Sequence, residues 1–148
     1  MSKLVGTWEL VTWEQWEYTA EGSSRKHPFG QDASGQMIYT PEGTVMTILQ
    51  KKKRSNFEKP CLGLGSPEEK CSAIDGYVSY SGTYQTHGKI IVHKITSSLL
   101  PNWIGTDLVR EISWCSDNSM VLSTRPVQTC SGKLKVELLH WKKFDPDH

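Results

Sequence analysis

The run YVSYSGTYQTHGKIIVHKITS, residues 77–97, is the stretch that decides the fold. Polar and apolar side chains alternate on both sides of His87-Gly88, which is the pattern of two antiparallel strands joined by a tight turn. Because alternate side chains of a strand point to opposite faces, we predict that the more apolar face points into a core. In the second strand that face carries Ile91, His93, Ile95 and Ser97.

The same period of two residues recurs along most of the chain. The other strand-like runs are 6–18, 35–39, 44–50, 106–114, 119–124 and 133–144. Turn-forming residues separate several of these runs, at Pro41-Glu42-Gly43, Asp117-Asn118 and Ser131-Gly132. Together with the two strands around His87-Gly88 this predicts an all-β protein of eight strands.

The order of these strands favours a barrel over a sandwich. Tight turns join most strands to their sequence neighbours, whereas a two-sheet sandwich usually needs longer crossing connections. An antiparallel up-and-down barrel closes both sheet edges, and eight strands leave room inside for one small ligand. We therefore predict a single barrel domain over residues 1–148, with a sandwich as the alternative fold.

One interruption between the strands has the signature of a helix. Ser66-Pro67-Glu68-Glu69 supplies an N-cap serine, a proline in the first turn and two acidic residues beside the helix N-terminus. We predict one short helix here, between the third and fourth strands of the barrel.

Composition excludes several classes of partner. Lysine and arginine number 17 against 16 aspartate and glutamate, so the net charge of +1 gives no field to attract nucleic acid or a membrane surface. The first residues, MSKLVGTWELV, contain no apolar run of the kind found in signal peptides, and a cytoplasmic location is expected. The four cysteines lack zinc-site spacing and are expected as free thiols, with a Cys61–Cys71 bridge as the alternative in a secreted protein.

Alternation assigns further side chains to the barrel interior. The inward sets are Val78, Tyr80, Gly82 and Tyr84 in the fourth strand, Leu108, Arg110, Ile112 and Trp114 in the sixth, and Leu134, Val136, Leu138 and His140 in the last. The first strand is ambiguous, because Trp8 and Trp16 share one face while Trp13 lies on the other.

A buried arginine keeps its proton, so Arg110 needs a partner. One interpretation is structural, with Arg110 stacked on a tryptophan and capping carbonyls at the closed end of the barrel. The other is a donor aimed at a ligand oxygen, and Glu14 is a candidate ion-pair partner if both face inward. His93 is open to the same two interpretations, as a core histidine or as a ligand contact. The hydroxyls of Tyr39, Tyr80 and Tyr84 can donate to a ligand carbonyl.

The sequence contains no motif for a catalytic nucleophile, a phosphate loop or a metal ion. No cofactor and no metal are therefore expected. A mostly apolar cavity with a few polar donors, the usual form of a small-molecule site, fits what remains.

Four segments together resemble a known family. LVGTWELVTWE (4–14), PFGQDASGQMIYTPEG (28–43), SPEEKCSAIDGYVSYSGTY (66–84) and VHKITSSLLPNWIGTDLVR (92–110) are similar to the lipocalin-like domain family of small cytosolic proteins, and the similarity runs from about Leu4 to Trp141. The resemblance implies a barrel with an internal pocket for a hydrophobic small molecule. Stand-alone members of this kind often belong to fungal natural-product pathways, where some act as cofactor-free cyclases.

The resemblance also implies a function and, for His93, Asn102, Trp103, Thr106 and Arg110, a role at the site; the other predicted site residues come from the inward-facing assignments. The expected function is a cyclase or pericyclase of Diels–Alder or hetero-Diels–Alder type that acts on a polyketide or terpenoid intermediate; the alternative is a non-catalytic carrier of a hydrophobic molecule. The predicted catalytic residues are His93, Arg110 and Tyr80. The predicted substrate-binding residues are Tyr39, Tyr84, Ser97, Asn102, Trp103, Thr106 and Leu108. A homodimer is a further prediction, seated on Trp13 or Trp141 if either lies on an outer face.

Overall fold

Eight antiparallel strands close into a barrel in the computed structural model, which describes residues 3–147. The barrel strands are β1 (Gly6–Thr19), β3 (Ser34–Tyr39), β4 (Thr44–Gln50), β5 (Tyr77–His87), β6 (Ile90–Ser98), β7 (Asp107–Ser116), β8 (Ser119–Thr124) and β10 (Leu134–Lys143). Neighbours in this order pair side by side, and β1 pairs with β10 to close the sheet. Closure leaves these eight strands without a free edge, as the simple strand order predicted.

Two short strands lie outside the predicted eight. β2 (Gly22–Lys26) folds back on the second half of β1, and β9 (Val127–Gln128) pairs with the start of β10. The sequence of β2 is fully exposed and carries no apolar alternation, so its pairing depends on the turn after Thr19 and not on a buried face.

The helix α1 (Pro67–Asp75) forms at the residues that carry the capping signal. The Ser66 hydroxyl accepts from the amide of Glu69 and the Glu69 carboxylate accepts from the amide of Ser66, which completes a capping box. By strand order α1 lies between β4 and β5, so its prediction between the third and fourth strands is not confirmed. The reason is the additional strand β2 near the N-terminus.

The two ends of the barrel differ in their connections. The β3–β4, β5–β6 and β7–β8 turns are short and lie at one end, whereas the connections β1–β3, β4–β5, β6–β7 and β8–β10 are long and lie at the other. Trp8, which is fully buried, closes the end with the short turns, where its indole N–H donates to the Leu4 carbonyl at 2.9 Å. Lys143 lies over the Trp8 ring and donates to the carbonyls of Lys3 and Val5.

Two bulges set which side chains face inward. In β1 the register with β10 shifts between Leu10 and Thr12, so Val11 is left exposed and Trp13 joins the inner face. This bulge explains the ambiguous tryptophan pattern of the first strand. A second shift in the β5–β6 pairing turns Ser98 inward and leaves Ser97 exposed, so the inward assignment of Ser97 is wrong.

The inward set of the last strand is also wrong by one residue. Lys135, Glu137, Leu139 and Trp141 face the interior, and Leu134, Val136, Leu138 and His140 face outward. The apolar residues on the outer face of β10 lie opposite aromatic residues of β1: Val136 is opposite Trp16, and Leu134 is opposite Tyr18. The β10 sequence alone does not show these partners. Glu14 is on this outer face as well, where it pairs with Arg25 and His140 and not with Arg110.

All four cysteines are free and exposed.

Within residues 3–147 the helices are too short and too polar to cross a membrane.

Candidate functional site

A cavity of about 320 Å³ lies inside the barrel, and this volume is at the lower end of the range for small-molecule pockets. Its opening is at the end with the long connections, because Pro28 and Phe29 before β3 and Trp103 between β6 and β7 contribute to its wall. The complete lining is Trp13, Gln15, Pro28, Phe29, Met37, Thr47, Leu49, Val78, Tyr80, His93, Trp103, Arg110, Leu122, Lys135, Glu137, Leu139 and Trp141.

His93 lies between two tyrosines in the wall. Tyr39 Oη is 2.6 Å from His93 Nε2, and Tyr80 Oη is 2.8 Å from His93 Nδ1. The three residues come from β3, β6 and β5; β5 and β6 pair with each other, whereas β4 separates β3 from β5. His93 and Tyr39 are each 1% exposed; His93 and Tyr80 border the cavity, and Tyr39 lies behind His93.

Burial keeps His93 neutral. Loss of solvent, together with the nearby Arg110 guanidinium, lowers the pKa of His93 to about 3, because both disfavour a second positive charge. A neutral imidazole donates through one nitrogen and accepts through the other. One tyrosine hydroxyl therefore donates to His93 and the other accepts from it.

The direction of this chain follows from the surroundings of Tyr39. Within residues 3–147 the Tyr39 hydroxyl has no hydrogen-bond partner other than His93, so its proton has to be donated to Nε2 to avoid an unsatisfied buried donor. Nδ1 then carries the ring proton and donates it to Tyr80. The proton of Tyr80 is then available to the neighbouring Thr47 oxygen or to a ligand oxygen in the cavity.

The same burial affects both phenols. It raises the pKa of Tyr39 well above its ordinary value, and it raises the pKa of Tyr80 against the opposing effect of Arg110. Both hydroxyls are protonated near neutral pH as a result. The group that faces the cavity is a hydroxyl donor, not a phenolate.

Arg110 borders the cavity on β7 and does not close the barrel. Its one hydrogen bond among the described residues is from Nη1 to the Val109 carbonyl, at 3.2 Å. The structural interpretation of Arg110 at the closed end is wrong, because Lys143 holds that position over Trp8. The guanidinium is a positive charge in the cavity wall.

A further polar group in the wall lacks a partner. Thr47 is 3% exposed, and its hydroxyl has no hydrogen bond of acceptable geometry within residues 3–147. Thr47 lies directly opposite Tyr80 in the β4–β5 register. The unpaired Thr47 hydroxyl and the free proton of Tyr80 thus occupy the same part of the wall, where a ligand oxygen would satisfy both.

A second polar group lies on β1 and β10. Gln15, which is 8% exposed, donates to Glu137 Oε1 at 3.1 Å, and Lys135 borders the cavity on the same strand as Glu137. The Glu137 backbone amide donates to the Thr124 hydroxyl at 2.9 Å.

The structure brings four of the ten predicted site residues to the cavity: His93, Arg110, Tyr80 and Trp103. Tyr39 supports His93 from behind the wall, and the Tyr84 hydroxyl donates to the Thr40 carbonyl at 2.8 Å. The remaining four do not border the cavity: Ser97, Asn102, Thr106 and Leu108. The Thr106 hydroxyl donates to the Trp103 carbonyl at 2.6 Å and so helps to shape the single 3-10 turn Pro101–Trp103.

Sequence reasoning missed most of the wall on β1, β4 and β10. Thr47 and Leu49 could have been found from the alternation in β4, where every second residue is buried. The sequence did not allow the wall residues of β1 and β10 to be found. The β1 bulge and the apolar outer face of β10 invert the predicted inward and outward faces of these strands, which affects Trp13, Gln15, Lys135 and Glu137.

The two tryptophans proposed for a dimer do not lie on an outer face. Trp13 borders the cavity and packs edge-on against Phe29 at 4.9 Å, and Trp141 is 1% exposed. A homodimer stays a prediction that these residues do not support.

No cluster of histidine, cysteine, aspartate or glutamate suited to a metal ion occurs in the part of the chain that the structure describes.

Comparisons with known proteins identify the family of this chain. No curated protein matches the chain. Among solved structures, a redesigned beta barrel is 14% identical with a TM-score of 0.40, over 97% of this chain and 94% of that one. The family model described as "Lipocalin-like domain" matches residues 5–144, a range that includes all the strands from β1 to β10. The chain therefore belongs to the lipocalin-like domain family.

Proposed function

We propose that the protein binds a hydrophobic small molecule in the barrel cavity, with one oxygen of the ligand at Tyr80, Thr47 and Arg110. The observation that supports this most is the polar arrangement in the wall: two hydroxyl groups without a committed acceptor and one guanidinium border the same cavity. Apolar side chains, among them Met37, Leu49, Val78, Leu122 and Leu139, supply the rest of the contact surface.

Titration with N-phenyl-1-naphthylamine, an uncharged probe that fluoresces in apolar surroundings, tests the binding. We expect saturable binding to the wild type. Val78→Phe adds an aromatic ring to the cavity and should weaken binding at least tenfold. Ser79→Phe is the matched control, because the next residue of β5 points to the outer face, and it should leave binding unchanged.

An equal loss of affinity in the two variants would place the probe outside the cavity and contradict the proposal. So would binding by the wild type that the Val78→Phe variant retains in full. Circular dichroism of both variants checks that the barrel is intact.

A second candidate is catalysis in the same cavity, as a cofactor-free cyclase or pericyclase that includes the Diels–Alder and hetero-Diels–Alder types. The observation that favours it is the neutral chain Tyr39–His93–Tyr80. As negative charge grows on a bound carbonyl oxygen, Tyr80 donates more strongly, His93 Nδ1–H supports the Tyr80 oxygen, and Tyr39 supports Nε2. Arg110 stabilises the same charge. The cavity walls would hold a flexible precursor in a folded shape and lower the entropic barrier to ring closure.

Ring closure of polyene substrates that carry a carbonyl group tests this candidate. The rate and stereochemistry of product are compared between no protein, wild type and Tyr80→Phe. If the wild type catalyses the reaction, Tyr80→Phe should lower the rate about 10- to 100-fold while the affinity for N-phenyl-1-naphthylamine changes little. A wild-type protein that binds these precursors without changing rate or stereochemistry leaves the carrier function.

A further inference from the structure

The Arg110 guanidinium has no carboxylate partner among residues 3–147. The ion pairs among residues 3–147 join Lys3, Arg25, Lys26, Lys133, Lys142 and His140 to acidic residues, and none includes Arg110. An arginine side chain keeps its charge, and a partly buried charge without a counter-ion is unfavourable. The wall of the cavity therefore contains a positive charge that no acidic side chain in the described part of the chain pairs with.

Glu137 borders the cavity, but its carboxylate accepts a hydrogen bond from Gln15 and does not pair with Arg110. Arg110, Thr124 and Glu137 lie in a row across β7, β8 and β10, since Arg110 is opposite Thr124 and the Glu137 amide donates to the Thr124 hydroxyl. With strands about 4.8 Å apart, the backbones of Arg110 and Glu137 are separated by roughly 10 Å. Glu137 accepts instead from Gln15, at 3.1 Å.

The charges around the cavity sum to an excess of positive charge. Arg110 and Lys135 are cations, Glu137 is the one carboxylate that borders the cavity among the described residues, and burial keeps His93 neutral. Lys135 and Glu137 are two residues apart on the same strand and offset each other. Arg110 is the charge that remains.

Two hydroxyl groups that can donate to a ligand border the same cavity as Arg110. The Tyr80 hydroxyl has a free proton once His93 donates to it, and the Thr47 hydroxyl has no partner. The planar fork of an arginine matches the two oxygens of a carboxylate, and charge-assisted hydrogen bonds of this kind are about twice as strong as neutral ones. The walls around these donors are apolar, with Leu49, Val78 and Leu122 among them.

We infer that the ligand is an apolar molecule that carries one carboxylate, with the carboxylate at Arg110, Tyr80 and Thr47 and the apolar body toward the mouth of the barrel. This inference rests on the proposed binding function and adds the charge of the ligand to it. It assigns Arg110 as the residue that determines specificity for an acid over its uncharged analogues.

A matched pair of ligands tests the inference. 2-Naphthoate and 2-naphthamide have nearly the same shape, and at pH 7.5 they differ by the negative charge. Isothermal titration calorimetry with the wild type should show at least a tenfold preference for 2-naphthoate. Arg110→Met should remove this preference, and Arg110→Lys, which keeps the charge but not the fork, should retain part of it. Lys133→Met, which removes an exposed lysine outside the cavity, is the control and should keep the full preference.

Each result decides one of the two ideas. Equal affinity of the wild type for 2-naphthoate and 2-naphthamide overturns the inference and leaves the proposed binding function standing. A preference that Arg110→Met retains overturns the assignment to Arg110. Binding of neither compound, together with no binding of N-phenyl-1-naphthylamine, overturns the proposed function itself.

Discussion

At the scale of single residues, the site depends on groups whose partners come from distant parts of the chain. His93 is 54 residues from Tyr39 and 13 from Tyr80 along the sequence, and both are within hydrogen-bond distance of its ring. Alternation predicted that His93 points inward, but no local pattern shows that two phenols lie against it. His93 is a buried core histidine that also borders the cavity, and its contact with a ligand stays a prediction.

Burial of neutral His93 predicts how stability depends on pH. The pKa of this imidazole is about 3 in the folded protein and about 6.5 in an unfolded chain, so between these values the unfolded state binds more protons. The free energy of unfolding should therefore fall as the pH is lowered from 6.5 toward 3, by up to about 1.4 kcal/mol per pH unit from this group. Above pH 6.5 the group contributes no pH dependence.

His93→Gln removes the titrating group and keeps a donor and an acceptor at the same position. The difference between the unfolding free energies of wild type and His93→Gln should shrink as the pH falls from 6.5. Urea unfolding at a series of pH values from about 4 to 8 measures this difference. A difference that stays constant over the whole range would show that His93 is not the buried neutral base described above.

At the scale of elements, local signals predicted helices and turns well and strand faces less well. The capping box at Ser66 and Glu69 forms as the sequence indicates, because capping depends on residues three apart. Faces depend on pairing with other strands. β1 has one extra residue at Val11, and the β5–β6 pairing has another. Each extra residue inverts the inward and outward alternation for the rest of its strand. No signal within the sequence of β1 or β6 predicts these two bulges.

The helix α1 should fray without unfolding the barrel. None of its residues is buried, so its stability depends on the cap more than on packing. Ser66→Ala should destabilise α1 by about 1 kcal/mol and speed hydrogen exchange of its amides, with little change in the melting temperature of the barrel. Ser72→Ala, an exposed change within the helix, is the control and should not speed exchange. A global loss of stability as large as the local one would contradict the independence of α1.

The bulge of the β5–β6 pair depends on Gly82. A side-chain carbon at this position would collide with the Lys94 carbonyl of the neighbouring strand. Gly82→Ala should therefore lower the free energy of unfolding by about 1–3 kcal/mol, measured by urea denaturation. Thr83→Ala, at the exposed next position, provides the comparison and should change stability much less. Wild-type stability of Gly82→Ala would mean that the two strands approach less closely than described.

At the scale of the whole molecule, the barrel has a closed end and an end at which the cavity opens. Trp8, Lys143 and the short turns form one end, whereas Phe29 and Trp103 at the other end border the cavity. The four long connections share the cavity end because an up-and-down chain places alternate connections at opposite ends of the barrel.

This separation predicts opposite effects of two substitutions. Trp8→Phe leaves the Leu4 carbonyl without its donor and should lower the free energy of unfolding by about 1–3 kcal/mol, with little effect on the affinity for N-phenyl-1-naphthylamine. Phe29→Ala should weaken the binding of this probe severalfold with a smaller change in stability. Urea denaturation and fluorescence titration of both variants measure the two quantities. Loss of affinity in Trp8→Phe comparable to that in Phe29→Ala would contradict a cavity that opens at one end.

The sequence by itself determined the strands, the tight turns, the helix cap and, from their order, a closed barrel with a ligand-sized interior. It did so because turn chemistry, capping and alternation are properties of residues a few positions apart. The tertiary structure alone decided that Gln15, Lys135 and Glu137 join Tyr80, His93 and Arg110 around the cavity, and that Lys143 rather than Arg110 closes the opposite end. The physical reason is that strand register, bulges and barrel closure depend on pairings between distant segments.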